Sequence, residues 1–400
     1  MAHDELKYRA ALITTIGASI VALMRGWPAF LRRKGFAVGT ISTDDRALAE
    51  FAAREQIEKT HIVEMTRRIT PITDLRCVFR MAGILRRGRF DIVHASTPKG
   101  GLLGMLAATL AGVPIRIFTL RGLPIVVSRG WKRRLLWVCD WLTFRLAHRV
   151  TAISASVAQE AVSLGLCPAS KIRVIGHGSS NGIDAARYTR KTPIAEAPLR
   201  AEWNIPPDGI VVGFVGRIVH DKGIIELEQA WQRVRAGEPR ARLVIVGTPN
   251  DEDPVPPDVM RRLQGDERVV LVGWMDNPAA AYEAMDLLVL PTHREGFGNV
   301  LLEANSMELP VVASRVTGCV DAVVDGVTGL LFPVRDAAAL ATAILTLVRD
   351  PERRLAMGTA GRERVLRDFR SEVIWEGMLA LYGEELRRVG RWSENESAAP

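Results

Sequence analysis

The feature that most constrains this chain is a repeated alternation of short, wholly apolar runs with longer stretches of helical spacing. In the first half the runs are "ALITTI", "AVGTIS", "FDIVHAS", "IRIFTL", "RVTAIS" and "KIRVIG". In the second they are "IVVGFVG", "ARLVIVG", "RVVLVG", "DLLVLP" and "PVVAS". A strand that is apolar at nearly every position is buried on both faces, which is the condition of a parallel sheet covered by helices. The alternation therefore predicts an α/β chain, and 400 residues are enough for more than one domain. The periodicity fails at "YTRKTPIAEAPLRAEWNIPPDG", Tyr188 to Gly209, where proline, charge and small residues replace it. The expected organisation is two Rossmann-like, doubly wound domains facing a central cleft: residues 1–187, a linker over 188–209, and residues 210–368. A C-terminal helix over 369–390, with Ile374, Met378, Leu379 and Leu386 among its apolar positions, is expected to pack back on the first domain, and residues 391–400 to be a disordered tail. Ligands of such sheets gather at the carboxyl ends of the strands, so the loops after each run are where chemistry is sought.

Composition narrows the function classes. With 48% hydrophobic and 24% charged residues, the chain is globular and not broadly disordered. Its cysteines, Cys77, Cys139, Cys167 and Cys319, are far apart, which predicts free thiols in a reducing compartment. The histidines do not cluster with them, so no structural zinc is expected. "DED", Asp251 to Asp253, reads as a solvated charge run ahead of a proline-rich loop, and no metal ligand set is assigned. Residues 1–180 hold 27 basic and 12 acidic side chains, whereas the remainder holds 26 and 33. A basic front half suits an anionic surface or a polyanion. "AALITTIGASIVALM", residues 10–24, has the layout of a signal segment after Lys7 and Arg9, but Asp4 and Glu5 dilute the charge and no small-residue cleavage site follows. A buried strand turning into a helix is the preferred reading.

Two constellations carry chemistry. In "VVGFVGRIVHDKG" a buried strand ends at Gly216, Arg217 follows, and Lys222 stands five residues further on, a spacing of cations suited to a diphosphate. In "HREGFGNVLLEANSMELPVVAS", Glu295 opens a loop in which Gly296 and Gly298 expose backbone N–H groups at the start of a helix, forming an anion pocket. Glu303 falls in the first turns of that helix. "GHGSSNG", Gly176 to Gly182, has the wrong spacing for a dinucleotide fingerprint and reads as a turn. No phosphate loop of the G-x-x-x-x-G-K-[ST] type and no G-x-S-x-G elbow is present. Basic residues alternate with aromatic ones over Arg25–Phe36 and Leu123–Arg149. Such stretches fit an anionic membrane surface, RNA binding by charge and stacking, or packed helices with solvated basic faces.

Taken together, Arg217 and Lys222 after a Gly-ended strand, the E-x7-E from Glu295 to Glu303, and the turn "SSNGID" (Ser179 to Asp184) resemble the family 4 (group 1) retaining GT-B glycosyltransferases. The likeness runs through nearly the whole chain. "HASTPKGGLLGMLAATLAGVPIRIFTLRGLP" is similar to the branch that extends polyprenyl-diphosphate-linked sugars, such as the bacterial N-acetylgalactosaminyltransferase type acting on undecaprenyl-diphospho-bacillosamine. The resemblance implies that Arg217 and Lys222 hold the donor diphosphate and assist its departure, that Glu295 faces the donor sugar, that backbone amides from Gly296 through Phe297 and Gly298 to Asn299 meet sugar and phosphate, and that Glu303 accepts from the ribose. It implies a first-domain loop, Thr15 to Gly17, near the diphosphate, and no metal or other cofactor. The chain departs from the family in having "TTIGAS" for the usual Gly-Gly pair and Arg121 where many members carry histidine. Arginine does not act as a base, so Arg121, with His94 and Lys99, is expected to handle the acceptor.

The expected function is retaining transfer of a sugar, a hexose or N-acetylhexosamine, from a UDP-sugar to a polyprenyl-diphosphate-linked sugar. The setting would be the cytoplasmic face of a bacterial plasma membrane, contacted peripherally, in surface polysaccharide or glycan synthesis. A GT-B sugar-nucleotide epimerase is the enzymatic alternative. Nucleic-acid binding by the basic half is another, disfavoured because no binding module is recognisable.

Overall fold

A computed structural model of the chain describes residues 6–66 and 68–392. It divides into two compact units, the first holding residues up to Asn181 together with those from Glu372 onward, the second Gly182–Ser371.

The first unit is built on a seven-stranded sheet of β1 (Tyr8–Ile13), β2 (Phe36–Ser42), β3 (Lys59–Ile62), β4 (Ile92–Ser96), β5 (Ile115–Leu120), β6 (Arg149–Ala152) and β7 (Ile172–Val174), ordered β3-β2-β1-β4-β5-β6-β7. Every pairing is parallel, so each connection must cross a face of the sheet. Side chains alternate between two cores along each strand. Ala11, Ile13, Val93 and Phe118 pack under the helices Pro71–Gly88, Pro98–Leu110 and Gly130–Leu146. Ala10, Leu12, Ile92 and Ile117 pack with Trp27 and Phe30 and with Ile374, Leu381, Tyr382 and Leu386 of the C-terminal helix Ser371–Arg388.

The apolar segment 10–24 supplies β1 and the helix Gly17–Leu23, and Ala10 to Ile13 are fully buried in mid-sheet. No helix among the described residues is long and apolar enough to cross a membrane. The aromatic residues of Arg25–Phe36 do not form a surface: Trp27, Phe30 and Phe36 are core, leaving Arg32, Arg33 and Lys34 outside.

The second unit is a six-stranded parallel sheet of β8 (Ile210–Val215), β9 (Ala241–Val246), β10 (Val269–Gly273), β11 (Leu287–Leu290), β12 (Val311–Ser314) and β13 (Gly329–Phe332), ordered β10-β9-β8-β11-β12-β13. In each sheet the strand order reverses direction once, between β1 and β4 and between β8 and β11, the switch points at which α/β sheets open a crevice. The stretch 188–209, expected as a linker, belongs to this unit. Trp203 and Ile205 are buried, and the buried Arg200 donates to Asp286 Oδ2 and the Ala284 carbonyl, each at 3.1 Å. At the other end Arg391 N–H donates to the Leu386 carbonyl at 2.9 Å and Trp392 stacks on Tyr8 at 5.2 Å; the rest of the expected tail, 393–400, lies outside the described residues.

Candidate active site

Every residue of the second-unit constellation lies beyond the carboxyl end of a strand. After β8 the chain leaves through Gly216 and the exposed Arg217, makes a single 3-10 turn over His220–Lys222, and enters the helix Ile224–Gly237 at Gly223. Gly223 is left-handed (φ 71°), and a Cβ there would meet the Pro291 carbonyl oxygen at 1.9 Å. The turn carrying Lys222 is thereby pressed against the loop that follows β11.

That loop ends at Gly298, whose φ of 79° makes it the left-handed cap of the helix Asn299–Ser306. No side chain caps this helix and no acidic residue occupies its first turn; Leu301 N–H turns back to the Gly298 carbonyl at 2.9 Å, and the N–H groups before it are left to meet an anion. Asn299 Oδ1 is buried without a hydrogen-bond partner among the described residues. The Phe297 ring is core, packed on Phe369 at 5.7 Å, so its backbone is what it can offer a ligand.

Lys222 Nζ pairs with Glu295 Oε1, with only 19% and 15% of the two side chains exposed. Two residues expected to serve different parts of a ligand thus neutralise one another across the two loops. Among the described residues the Arg217 side chain has no hydrogen bond or ion pair, and it is the freer of the two cations. Glu303 Oε2 accepts from the Tyr282 hydroxyl at 2.9 Å. Burial raises its carboxyl above the usual range, with the Tyr282 hydrogen bond and nearby Arg187 acting against that shift. The Tyr282 hydroxyl is itself pushed well up by burial and then by Glu303. Sequence reasoning missed Tyr282, since one tyrosine in "AAAYEAMD" carries no signal.

The first-unit candidates are placed differently. Gly17 is buried at the start of its helix. The His94 ring donates and accepts inside the fold, Nδ1 facing the Tyr382 hydroxyl at 2.7 Å and Nε2 the Thr119 hydroxyl at 2.5 Å. Burial, then the neighbouring Arg121, depress it to about 3. Lys99 is held by Asp74 at 2.6 Å. Arg121 bonds the Ser180 carbonyl at 3.1 Å, leaves Nε without a partner, and is lowered to about 10 by burial. It lines a pocket with His94, Met24, Trp27, Trp375 and Met378. Asp253, weighed as a metal ligand, instead accepts the Asp221 N–H on Oδ2 at 2.7 Å. The structure does gather His220, Asp221 and His293, a group hidden in the sequence because it joins two distant loops.

The fold is that of GT-B glycosyltransferases. Anabaena HepE in complex with UDP and glucose superposes with a TM-score of 0.80 at 21% identity, over 94% of this chain and 100% of that one. Sucrose-phosphate synthase of Thermosynechococcus elongatus does so with a TM-score of 0.78 at 24% identity, over 95% and 100%. Residues 15–178 match the glycosyl transferase 4-like domain and residues 209–350 the glycosyl transferases group 1. The capsular polysaccharide biosynthesis glycosyltransferase CapM of Staphylococcus aureus is 35% identical over 375 residues, 94% of this chain and 97% of CapM. A D-inositol 3-phosphate glycosyltransferase of Kribbella flavida is 31% identical over 328 residues, 78% of this chain and 75% of the relative. The chain belongs to the group 1 glycosyltransferases and is a glycosyltransferase enzyme.

Proposed function

We propose that the protein transfers a hexose or N-acetylhexosamine from a UDP-sugar, with retention, to a polyprenyl-diphosphate-linked sugar in bacterial surface-polysaccharide synthesis. The observation that carries this reading is the Lys222–Glu295 pair set beside the uncapped start of the helix Asn299–Ser306. Arg217, Lys222 and the amides of Gly296 to Asn299 take the diphosphate; Glu295 turns to the hydroxyls of the sugar; Glu303, already accepting from Tyr282, takes a ribose hydroxyl. The acceptor hydroxyl attacks the anomeric carbon as the bond to the UDP oxygen breaks. Its proton passes to the departing phosphate, so UDP and the extended lipid-linked glycan are the products. Lys222 and the helix amides stabilise charge that grows as UDP leaves, which is where preorganised donors have most effect. The capsular name of one relative and the UDP complexes of HepE support the donor and pathway class.

On the acceptor side, Arg121 supplies a buried cation with an unengaged Nε in a pocket walled by Trp27 and Trp375, suited to a lipid phosphate. Contact with an anionic membrane is supported by the helix Pro71–Gly88, where Ile72, Leu75 and Phe79 are 72%, 58% and 61% exposed beside the exposed Arg76 and Arg80. The decisive experiment incubates the enzyme with labelled nucleotide sugars and undecaprenyl-diphosphate-linked sugars. Label entering the lipid fraction with the anomeric configuration retained is the expected result. Conversion of the donor without any acceptor would show an epimerase instead.

A further inference from the structure

His220, Asp221 and His293 stand together outside the residues assigned to the donor. One ring nitrogen of each histidine and a carboxylate oxygen of Asp221 lie within 4.8 Å of one another. The two rings meet edge to face, centroids 5.1 Å apart at 81°, which leaves their in-plane lone pairs clear of stacking. Backbone bonds fix both loops: His293 N–H donates to the Asp221 carbonyl at 2.8 Å, and His220 N–H to the Asp253 carbonyl at 3.1 Å. The Thr292 hydroxyl donates to the same Asp221 carbonyl at 3.1 Å, and Asp253 Oδ2 holds the Asp221 N–H.

The hydrogen bonding of His293 points to a ligand. Its Nε2 lies 2.9 Å from Glu226 Oε1, and a carboxylate there makes Nε2 the protonated nitrogen. Nδ1 then carries the lone pair, and Nδ1 is buried with no hydrogen-bond partner among the described residues on a side chain only 5% exposed. Buried polar atoms are rarely left unpaired. A carboxylate on one nitrogen of a histidine whose other nitrogen is left for a ligand is the usual outer shell of a metal-bound imidazole, and His293 belongs to the cluster of ligand atoms. Asp221 gives Oδ2 to the half-exposed Arg294 at 2.6 Å, which leaves Oδ1 available.

We propose that His220, Asp221 and His293 form a site for a late first-row divalent cation such as Zn²⁺, with Glu226 positioning His293. Two imidazoles and one carboxylate suit Zn²⁺ or Co²⁺ and are poor ligands for Mg²⁺. A tetrahedral Zn²⁺ at about 2.0–2.1 Å from nitrogen sets neighbouring ligand atoms about 3.3 Å apart, so the three groups need only a rotamer-scale convergence. The ion braces the turn ending in Lys222 against the loop leading to Glu295. This inference stands on the cluster itself and does not depend on the donor assigned above.

The test uses full-length protein without a polyhistidine tag, stripped with a chelator, then titrated with Zn²⁺ by calorimetry and with Co²⁺ by visible absorption. One ion per chain, a raised melting temperature with Zn²⁺, and Co²⁺ bands of low-symmetry nitrogen–oxygen coordination are expected. His220→Ala and Asp221→Asn, both at half-buried positions, should abolish the Co²⁺ bands with the circular dichroism unchanged. Glu226→Gln should weaken binding by about 10–100-fold. Failure of the natively folded wild type to bind one ion would overturn the proposal. So would binding equally tight in folded His220→Ala and Asp221→Asn.

Discussion

Lys222 and Glu295 satisfy each other across two loops, and this makes their roles separable. A partly buried lysine stripped of its carboxylate is a stronger anion site, whereas removing the lysine leaves a carboxylate that repels a diphosphate. Lys222→Ala should therefore weaken UDP binding and lower the transfer rate by roughly 10²–10³-fold, the scale of losing one preorganised donor to a departing charge. Glu295→Ala should lower transfer comparably while leaving UDP affinity equal to or tighter than wild type. Calorimetry with UDP beside initial rates separates the two effects; equal loss of UDP affinity in both variants would refute the division of labour. Asp140, inside the helix Gly130–Leu146, gives a pH-dependent prediction. Its Oδ2 is buried without a hydrogen-bond partner among the described residues, and burial lifts its carboxyl to about 7 from 3.8. The folded state then keeps a proton that the unfolded chain releases, so this group's contribution to stability falls as pH rises from about 4 to about 7. Asp140→Asn should melt above wild type at pH 8 and close to it at pH 4. The depressed His94 acts in the opposite sense in both proteins and cancels in their difference; melting curves at the two pH values decide.

At the scale of elements, the helix Pro71–Gly88 shows what residue patterns alone do not disclose. It is apolar on two sides: Cys77, Val78, Met81 and Leu85 enter the core, while Ile72, Leu75 and Phe79 face out. Periodicity registers the mixture but not which side the sheet covers, and the more conspicuous aromatic–basic run at Arg25–Phe36 has its aromatics in the core. Of the other run, Trp131 is 73% exposed, while Trp137 is held by a hydrogen bond from its indole to the Leu164 carbonyl at 2.9 Å. If the outward side of Pro71–Gly88 rests on lipid, the wild type should float with phosphatidylglycerol vesicles and not with neutral ones, and less so as salt rises. Phe79→Glu and Leu75→Glu should remove flotation with the fold intact, because neither side chain is part of the core. Undiminished flotation of the double variant would place the contact elsewhere.

Across the whole molecule, the sequence made the central strands legible, together with two of the four edge strands. Strands buried on both faces, such as β1 and β8, read as unbroken apolar runs. The edge strands β3, "KTHI", and β13, "GLLF", carry too short an apolar run to be read, whereas the edge strands β7 and β10 show in "KIRVIG" and "RVVLVG". The Lys222, Glu295 and Glu303 constellation was visible as spacing, but its internal ion pair and the Tyr282 contact depend on loops that only folding brings together. The division between units was legible to within a few residues, 187/188 against 181/182, but the stretch after it read as linker, since Arg200 looks like linker charge until its partner Asp286 is seen. That division has a mechanical consequence. The second unit is one continuous segment, whereas the first is completed by a helix from the far end of the chain. Ile374, Leu381, Tyr382 and Leu386 of that helix are buried in the first unit's core. Full burial of each such side chain is worth about 1.5–3 kcal/mol, so four together rival the roughly 5–15 kcal/mol that holds a domain folded. A chain ending at Ser371 should therefore lose the cooperative folding of its first unit, with His94 deprived of the Tyr382 hydroxyl, and bind hydrophobic dye. Its second unit should persist as a protease-resistant fragment close to Gly182–Ser371. Tyr382→Phe in the intact chain removes the hydroxyl alone, leaves the buried His94 Nδ1 unpaired, and should cost about 1–3 kcal/mol. Mass spectrometry of limited digests, with melting curves of both variants, distinguishes these outcomes; survival of both units in the shortened chain would show that the first does not need the helix.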